Sequence, residues 1–250
     1  MKQLFKKIVP SFLVKFLIKQ KYKSYNLSVH QQNIDKNQIV TVKCKNKNRY
    51  LFLQQTLKKS FGGILKIEKY SFYFHPVAII KVPDTLDKYL KHIGAKSRNM
   101  NKKAQKNGIV CSEFKWNDKL DDIYEINTSS SIRQGREMDN TYKEYPKKME
   151  TFKEEDFKIT HIGAFKDNRL VGYVELYIYG NFAMTNRILG HKEFLKFGVM
   201  NLMMQRCVEY AIEQDIEYIN YLTMQNRANN SLSAFKYRVG FREFSLLELK

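Results

Sequence analysis

The chain has 250 residues, 43% of them hydrophobic, with 11 glycines and 4 prolines. That is the make-up of one large globular domain or two small ones, and it excludes a disordered or low-complexity chain. A formal net charge of +19 favours phosphate-bearing partners such as nucleic acid, anionic lipid or phosphorylated small molecules, although lysines spread along a chain also simply solvate its surface. Cys44, Cys111 and Cys207 are odd in number and lack metal-ligand spacing, which argues against a disulfide framework and for a reducing, cytoplasmic setting.

In chain order, residues 1–22 read as a basic amphipathic helix. Leu4, Ile8, Phe12, Leu13 and Phe16 fall on one face and most of the lysines on the other. Lys15 interrupts the apolar stretch, no small-residue cleavage site follows, and the stretch is too short to span a bilayer. Such a helix either lies on an anionic membrane surface through residues 1–20 or packs on the protein's own core. Short strands are expected at Ile39 to Lys43, Tyr50 to Leu53, Ile64 to Ile67 and Val77 to Val82. Two helical stretches broken near Gly94 follow Pro83-Asp84, the second carrying Lys96, Arg98, Lys102, Lys103 and Lys106. A strand over Ile109 to Phe114 and a helix over Leu120 to Ile132 come next, then a polar loop.

From Ile159 the pattern sharpens. Strands are expected at Ile159 to Phe165, Leu170 to Tyr179 and Phe182 to Leu189, the last two joined at Gly180-Asn181. An amphipathic helix spans Gly198 to Glu213 with Met203, Met204, Cys207 and Val208 on its apolar face. A strand at Ile216 to Leu222, a helix at Ser231 to Val239 and a strand at Phe241 to Glu248 close the chain.

Three local sequences carry a resemblance. Leu189 to Met200 (LGHKEFLKFGVM) is a strand-loop-helix junction, where free amides at the helix start favour an anion. Ala234 to Phe241 reads AFKYRVGF. Ser97 to Ala104 (SRNMNKKA) and Ser130 to Arg136 (SSIRQGR) precede them. With the element order over 158–250, these resemble the GNAT acyl-CoA N-acyltransferase superfamily, and within it the Fem-like acyltransferases of cell-surface glycan pathways. The resemblance covers about residues 84–250.

It implies an α/β fold in which a GNAT-like mixed central sheet is flanked by helices, with a reduced N-terminal GNAT-like half (23–115) and a C-terminal GNAT acyltransferase half (116–250). It also implies a GNAT-type N-acyltransferase (an acetyltransferase) that takes acyl-CoA (acetyl-CoA) as co-substrate, held by Lys196, Phe197, Gly198 and Val199. The junction departs from the family pattern: Met200 stands where a second glycine is usual, Leu195 where an Arg or Gln is. Lys192 and Lys196 are left to supply charge. Lys236 takes the place where GNAT enzymes often carry a tyrosine acid, as the lysine of Fem-type proteins does, so the resemblance gives it the role of countering developing negative charge.

Glu175 is the carboxylate candidate for general base, since on an alternating strand it shares one face with Tyr173, Tyr177 and Tyr179. The plainer reading is a half-exposed residue paired with a lysine. His191, also a substrate-binding candidate, and His161 are further possible bases. Arg133 and Arg136 are expected to grip phosphate or carboxylate on the acceptor. That acceptor is a small-molecule or lipid-linked glycan precursor, handled in the cytoplasm or at the inner face of the membrane. A Fem-type transferase using aminoacyl-tRNA is one alternative, and a non-catalytic nucleic-acid- or membrane-binding module is another. The sequence contains no metal-ligand cluster, Ser-His-Asp signature or Walker-type loop, so no metal is expected.

Overall fold

The computed structural model describes residues 39–40, 42–61, 64–67, 70–73, 77–133, 136–150, 153–224 and 231–249. The helix expected over residues 1–22 lies outside them. The chain divides into two units at Ile39 and Val40, and the described residues lie almost wholly in the second.

The second unit is built from α1 (Lys47–Phe61), β1 (Ile64–Ile67), β2 (Tyr70–Tyr73), β3 (Val77–Lys81), α2 (Leu86–His92), α3 (Ala95–Lys106), β4 (Val110–Glu113), α4 (Leu120–Thr128), β5 (Phe157–Lys166), β6 (Arg169–Tyr179), β7 (Phe182–Gly190), α5 (Val199–Glu213), β8 (Tyr218–Thr223), α6 (Ser231–Arg238) and β9 (Arg242–Leu249). The strand expected from Tyr50 to Leu53 is instead the start of α1. Asn46 begins that helix: its side-chain oxygen accepts from the Arg49 amide at 3.1 Å, which satisfies one of the donors a helix start leaves open. Leu53 enters the core while Leu51 and Phe52 stay exposed, so the apolar residues here do not alternate as a half-buried strand requires.

The strands form one sheet in the order β1-β2-β9-β3-β8-β7-β6-β5-β4. All neighbours are antiparallel except β7 and β8, which are parallel and joined through α5. β3 lies between β8 and β9, and β4 pairs with β5. The expected boundary between 115 and 116 therefore runs through a single sheet. The reason is visible in β3: Val77, Ala78, Ile79 and Ile80 are all buried, and a strand apolar on both faces needs a neighbour on each side and cover above and below.

One face of the sheet packs on α5. Val174, Leu176 and Ile219 meet Val199, Met203 and Val208, all buried. Gly172 permits the approach, because a Cβ there would stand 2.8 Å from Val199 Cγ1. On the opposite face Leu53 of α1 packs with Val77, Ile79, Phe182 and Met184. Beside it Ile123 and Ile126 of α4 pack with Trp116, Tyr173 and Leu189. Each such fully buried side chain contributes about 1.5–3 kcal/mol relative to exposure.

Two local features shape the space between these layers. β7 and β8 pair only at Phe182–Tyr218, Ala183–Ile219 and Met184–Asn220; beyond that point they part. In β8, Leu222 has φ +51°, held by Asn220, whose side-chain oxygen accepts from the Leu222 amide at 3.1 Å and whose amide group donates to Ala78 O and Leu222 O. A bulge interrupts the β6–β7 register between Glu175–Arg187 and Leu176–Thr185, leaving Asn186 as the extra residue.

Candidate active site

Past the last β7–β8 pair, where the pairing of β8 with β3 is also irregular, Lys236 meets two backbone carbonyls of β8. Buried on α6 at 4% exposure, it donates from Nζ to Tyr221 O at 2.7 Å and to Thr223 O at 2.8 Å. The Tyr221 ring lies 4.3 Å from Nζ. Burial lowers its pKa to about 8, so the ammonium form still predominates at neutral pH. An ammonium carries three donors; two are used here.

Glu175, on β6, is 1% exposed. His161 Nε2 is 3.3 Å from its Oε2, and Asn186 Nδ2 donates to its Oε1. Burial works to raise the pKa of the carboxyl, but the hydrogen bonds from His161 and Asn186, with Arg187 nearby, hold it below the ordinary range. The half-exposed pairing with a lysine does not occur: the partners are a histidine, an amide and, at 4.0 Å, Arg187 Nε. His161 itself packs on aromatic rings in tilted contacts, its ring 4.9 Å from Trp116 and 5.6 Å from Phe114. A carboxylate so enclosed is held ionised, which makes it a poor proton acceptor and a good anchor for its neighbours.

Tyr142 lies nearby, and burial raises the pKa of its phenol. Sequence reasoning missed Asn186, Arg187 and Tyr142. The first two become neighbours of Glu175 only through the bulge and the β6–β7 register.

The remaining candidates lie elsewhere. Arg133 is spent on the protein: it donates to Gly190 O at 2.8 Å, Ile126 O at 2.7 Å and Ser129 Oγ at 3.0 Å. Its Nε is buried without a partner. It ties α4 to the end of β7 and leaves little of its fork for a ligand. Arg136 sits on a short strand paired with Ile132–Arg133, its side chain outside the described residues. His191 starts the 3₁₀ turn Lys192–Phe197: its Nδ1 accepts from the Glu193 amide at 3.4 Å. It follows directly on β7 and is four residues beyond Arg187, away from Glu175.

At the strand-helix junction, Lys196 is exposed with its Nζ 5.1 Å from the Phe197 ring, and Val199 is fully buried. Gly198 has φ +90°, and a Cβ there would stand 2.4 Å from Met100 O of α3. The glycine is needed both for its backbone angle and for this approach. The two residues that depart from the GNAT pattern fold back together: a Cβ on Gly190 would stand 2.8 Å from Leu195 Cδ2 and 3.1 Å from Met200 Sδ. Apolar side chains thus cover Gly190 beside the junction, where the family pattern has a second glycine and an Arg or Gln.

Among the described residues no group of three or more His, Cys, Asp or Glu is placed to hold a metal ion, and no helix is long and apolar enough to cross a membrane. The sequence profile of the acetyltransferase (GNAT) family matches residues 120–241. No curated protein sequence matches the chain. Among solved structures, FemX is similar with a TM-score of 0.53 and 13% identity, covering 80% of this chain and 66% of that one. L-PGS from Bacillus licheniformis is similar with 0.45 and 14%, covering 72% and 62%. The chain spans less than two thirds of either structure, and at these identities the likeness to FemX concerns the fold alone.

Proposed function

Because residues 120–241 match the acetyltransferase (GNAT) family profile, we propose that this protein transfers an acyl group to an amine or hydroxyl of a sugar, nucleotide-sugar or lipid-linked glycan precursor, with the chemistry in the gap between β7 and β8. The observation that carries this reading is Lys236, a buried ammonium fixed at that gap by two backbone carbonyls. In acyl transfer the acceptor nitrogen or oxygen bonds to the acyl carbon, negative charge grows on the carbonyl oxygen, and the bond to the donor then breaks as the acceptor loses its proton. An ammonium already held in place opposes that charge without reorganising at the moment of reaction. Glu175 serves in this reading as a positioning residue, fixing Asn186 at the edge of the gap. Much of the rate comes from holding donor and acceptor together.

The donor admits a second reading. Leu195 and Met200 crowding Gly190 weigh against acyl-CoA held by Lys196 to Val199 and support an aminoacyl-tRNA donor, which carries its acyl group on an ester and does not need that cradle. Lys236→Met tests the shared part. With a donor found by screening acyl-CoAs and aminoacyl-tRNAs, turnover should fall about a hundredfold or more, with KM nearly unchanged. Wild-type turnover in the variant would make the lysine purely structural and sink the assignment.

A further inference from the structure

Arg187 is the charged group of the gap that the protein leaves without a hydrogen bond among the described residues. It follows the bulge on β7, in the stretch that no longer pairs with β8. Its side chain is 41% exposed. Its guanidinium carbon lies 5.8 Å from the Trp116 ring centroid, within cation–π range. The nearest carboxylate, Glu175, is 4.0 Å from Nε, too far for a hydrogen bond, and that carboxylate already receives Asn186 and engages His161. A guanidinium has five N–H donors in a planar fork that matches two oxygens of a carboxylate or phosphate.

We propose that Arg187 binds an oxyanion group of the acceptor, so that the acceptor carries a carboxylate or phosphate close to the amine or hydroxyl that is acylated. The proposal rests on the reading of the gap as the place of transfer. It adds a substrate class to that reading: an anionic acceptor seated with its charge on Arg187 and its nucleophile toward the Lys236 side. Glu175 beside the guanidinium keeps the arginine from being an overly tight anion trap, since an arriving oxyanion meets a partly neutralised charge.

Trp116 makes this testable without knowing the reaction, because it is the sole tryptophan of the chain. The full chain is titrated with inorganic phosphate and, separately, with acetate, at ionic strength held constant with sodium chloride, while tryptophan fluorescence is followed. A saturable change is expected in at least one arm, and the arm that responds says whether phosphate or carboxylate is preferred. The midpoint should move at least tenfold to higher concentration in Arg187→Met and in Arg187→Gln, the second variant covering poor folding of the first. Absence of a saturable change in the wild type in both arms, or unchanged midpoints in a folded variant, would overturn the proposal. Because no donor or turnover is involved, loss of transferase activity with intact anion binding would count against the reaction and not against this site.

Discussion

Lys236 has a structural task and a chemical one, and pH separates them. Its two hydrogen bonds satisfy the Tyr221 and Thr223 carbonyls, and a buried carbonyl left without a donor costs about 1–3 kcal/mol. Lys236→Met is therefore expected to lower the melting temperature as well as turnover, although removing a buried charge offsets part of the cost. The chemical task needs the ammonium. With the pKa lowered to about 8 by burial, the charge is complete below that pH and is lost above it, so wild-type turnover should decline as pH rises through about 8. Lys236→Met should show low turnover with no such decline. Glu175 predicts the opposite limb for stability. Its carboxyl is held below the ordinary range, so its contribution is present above the unfolded carboxylate pKa and is lost as pH falls through the lower folded value. Glu175→Gln should be less stable than wild type at neutral pH and should converge with it in acid. Parallel curves of melting temperature against pH would show that the charge of Glu175 contributes nothing to the fold.

At the scale of elements, the junction between β7 and α5 is where packing and function meet. Gly198 brings α5 against the backbone of α3, with Asn201 Nδ2 donating to Ser97 Oγ at 3.2 Å beside it. Gly198→Ala adds a methyl 2.4 Å from Met100 O at a positive φ, so α3 must shift or the turn must change. A loss of about 1–3 kcal/mol is expected, read as a fall of several degrees in melting temperature; an unchanged value would mean that α3 yields freely. The same region shows what a sequence can and cannot disclose. β5 to α5 were legible because long apolar strand runs bounded by turn residues and a 3.6-residue stripe each persist over many residues. Glu175 was legible as the odd residue on a tyrosine face. The start of α1 was not, because Tyr50, Leu51, Phe52 and Leu53 have strand-like side chains and only the Asn46 cap betrays the helix. The bulge at Asn186, the insertion of β3 between β8 and β9, and the capture of Arg133 by carbonyls of α4 and β7 arise from tertiary pairing. No periodicity records them.

At the scale of the molecule, part of the net charge of +19 lies on one pair of helices. On α2 and α3, Lys91, Lys96, Lys102, Lys103 and Lys106 are exposed, and none is in an ion pair among the described residues; only Lys88 of these helices is, with Asp84. The apolar side of this pair of helices is taken up by the core through Tyr89, Ile93 and Ala104. A helix that lies in a membrane interface needs an apolar face free for lipid, so this surface suits a phosphate backbone better. If the donor is aminoacyl-tRNA, binding should weaken steeply with salt as counterions are displaced, with log K falling by about 0.7–0.9 per log unit of salt for each phosphate contacted. Filter binding of tRNA by the full chain, repeated across a salt series, measures this slope. Replacing Lys102 and Lys103 by glutamate should reduce its magnitude by about 2 while leaving the fold intact, since both side chains are exposed. The membrane reading of residues 1–20 separates cleanly from it: deleting them should release the protein from anionic vesicles without altering the tRNA slope. Salt-independent or absent tRNA binding, with thermal stabilisation by an acyl-CoA, would return the donor to CoA and require Leu195 and Met200 to move aside when it binds.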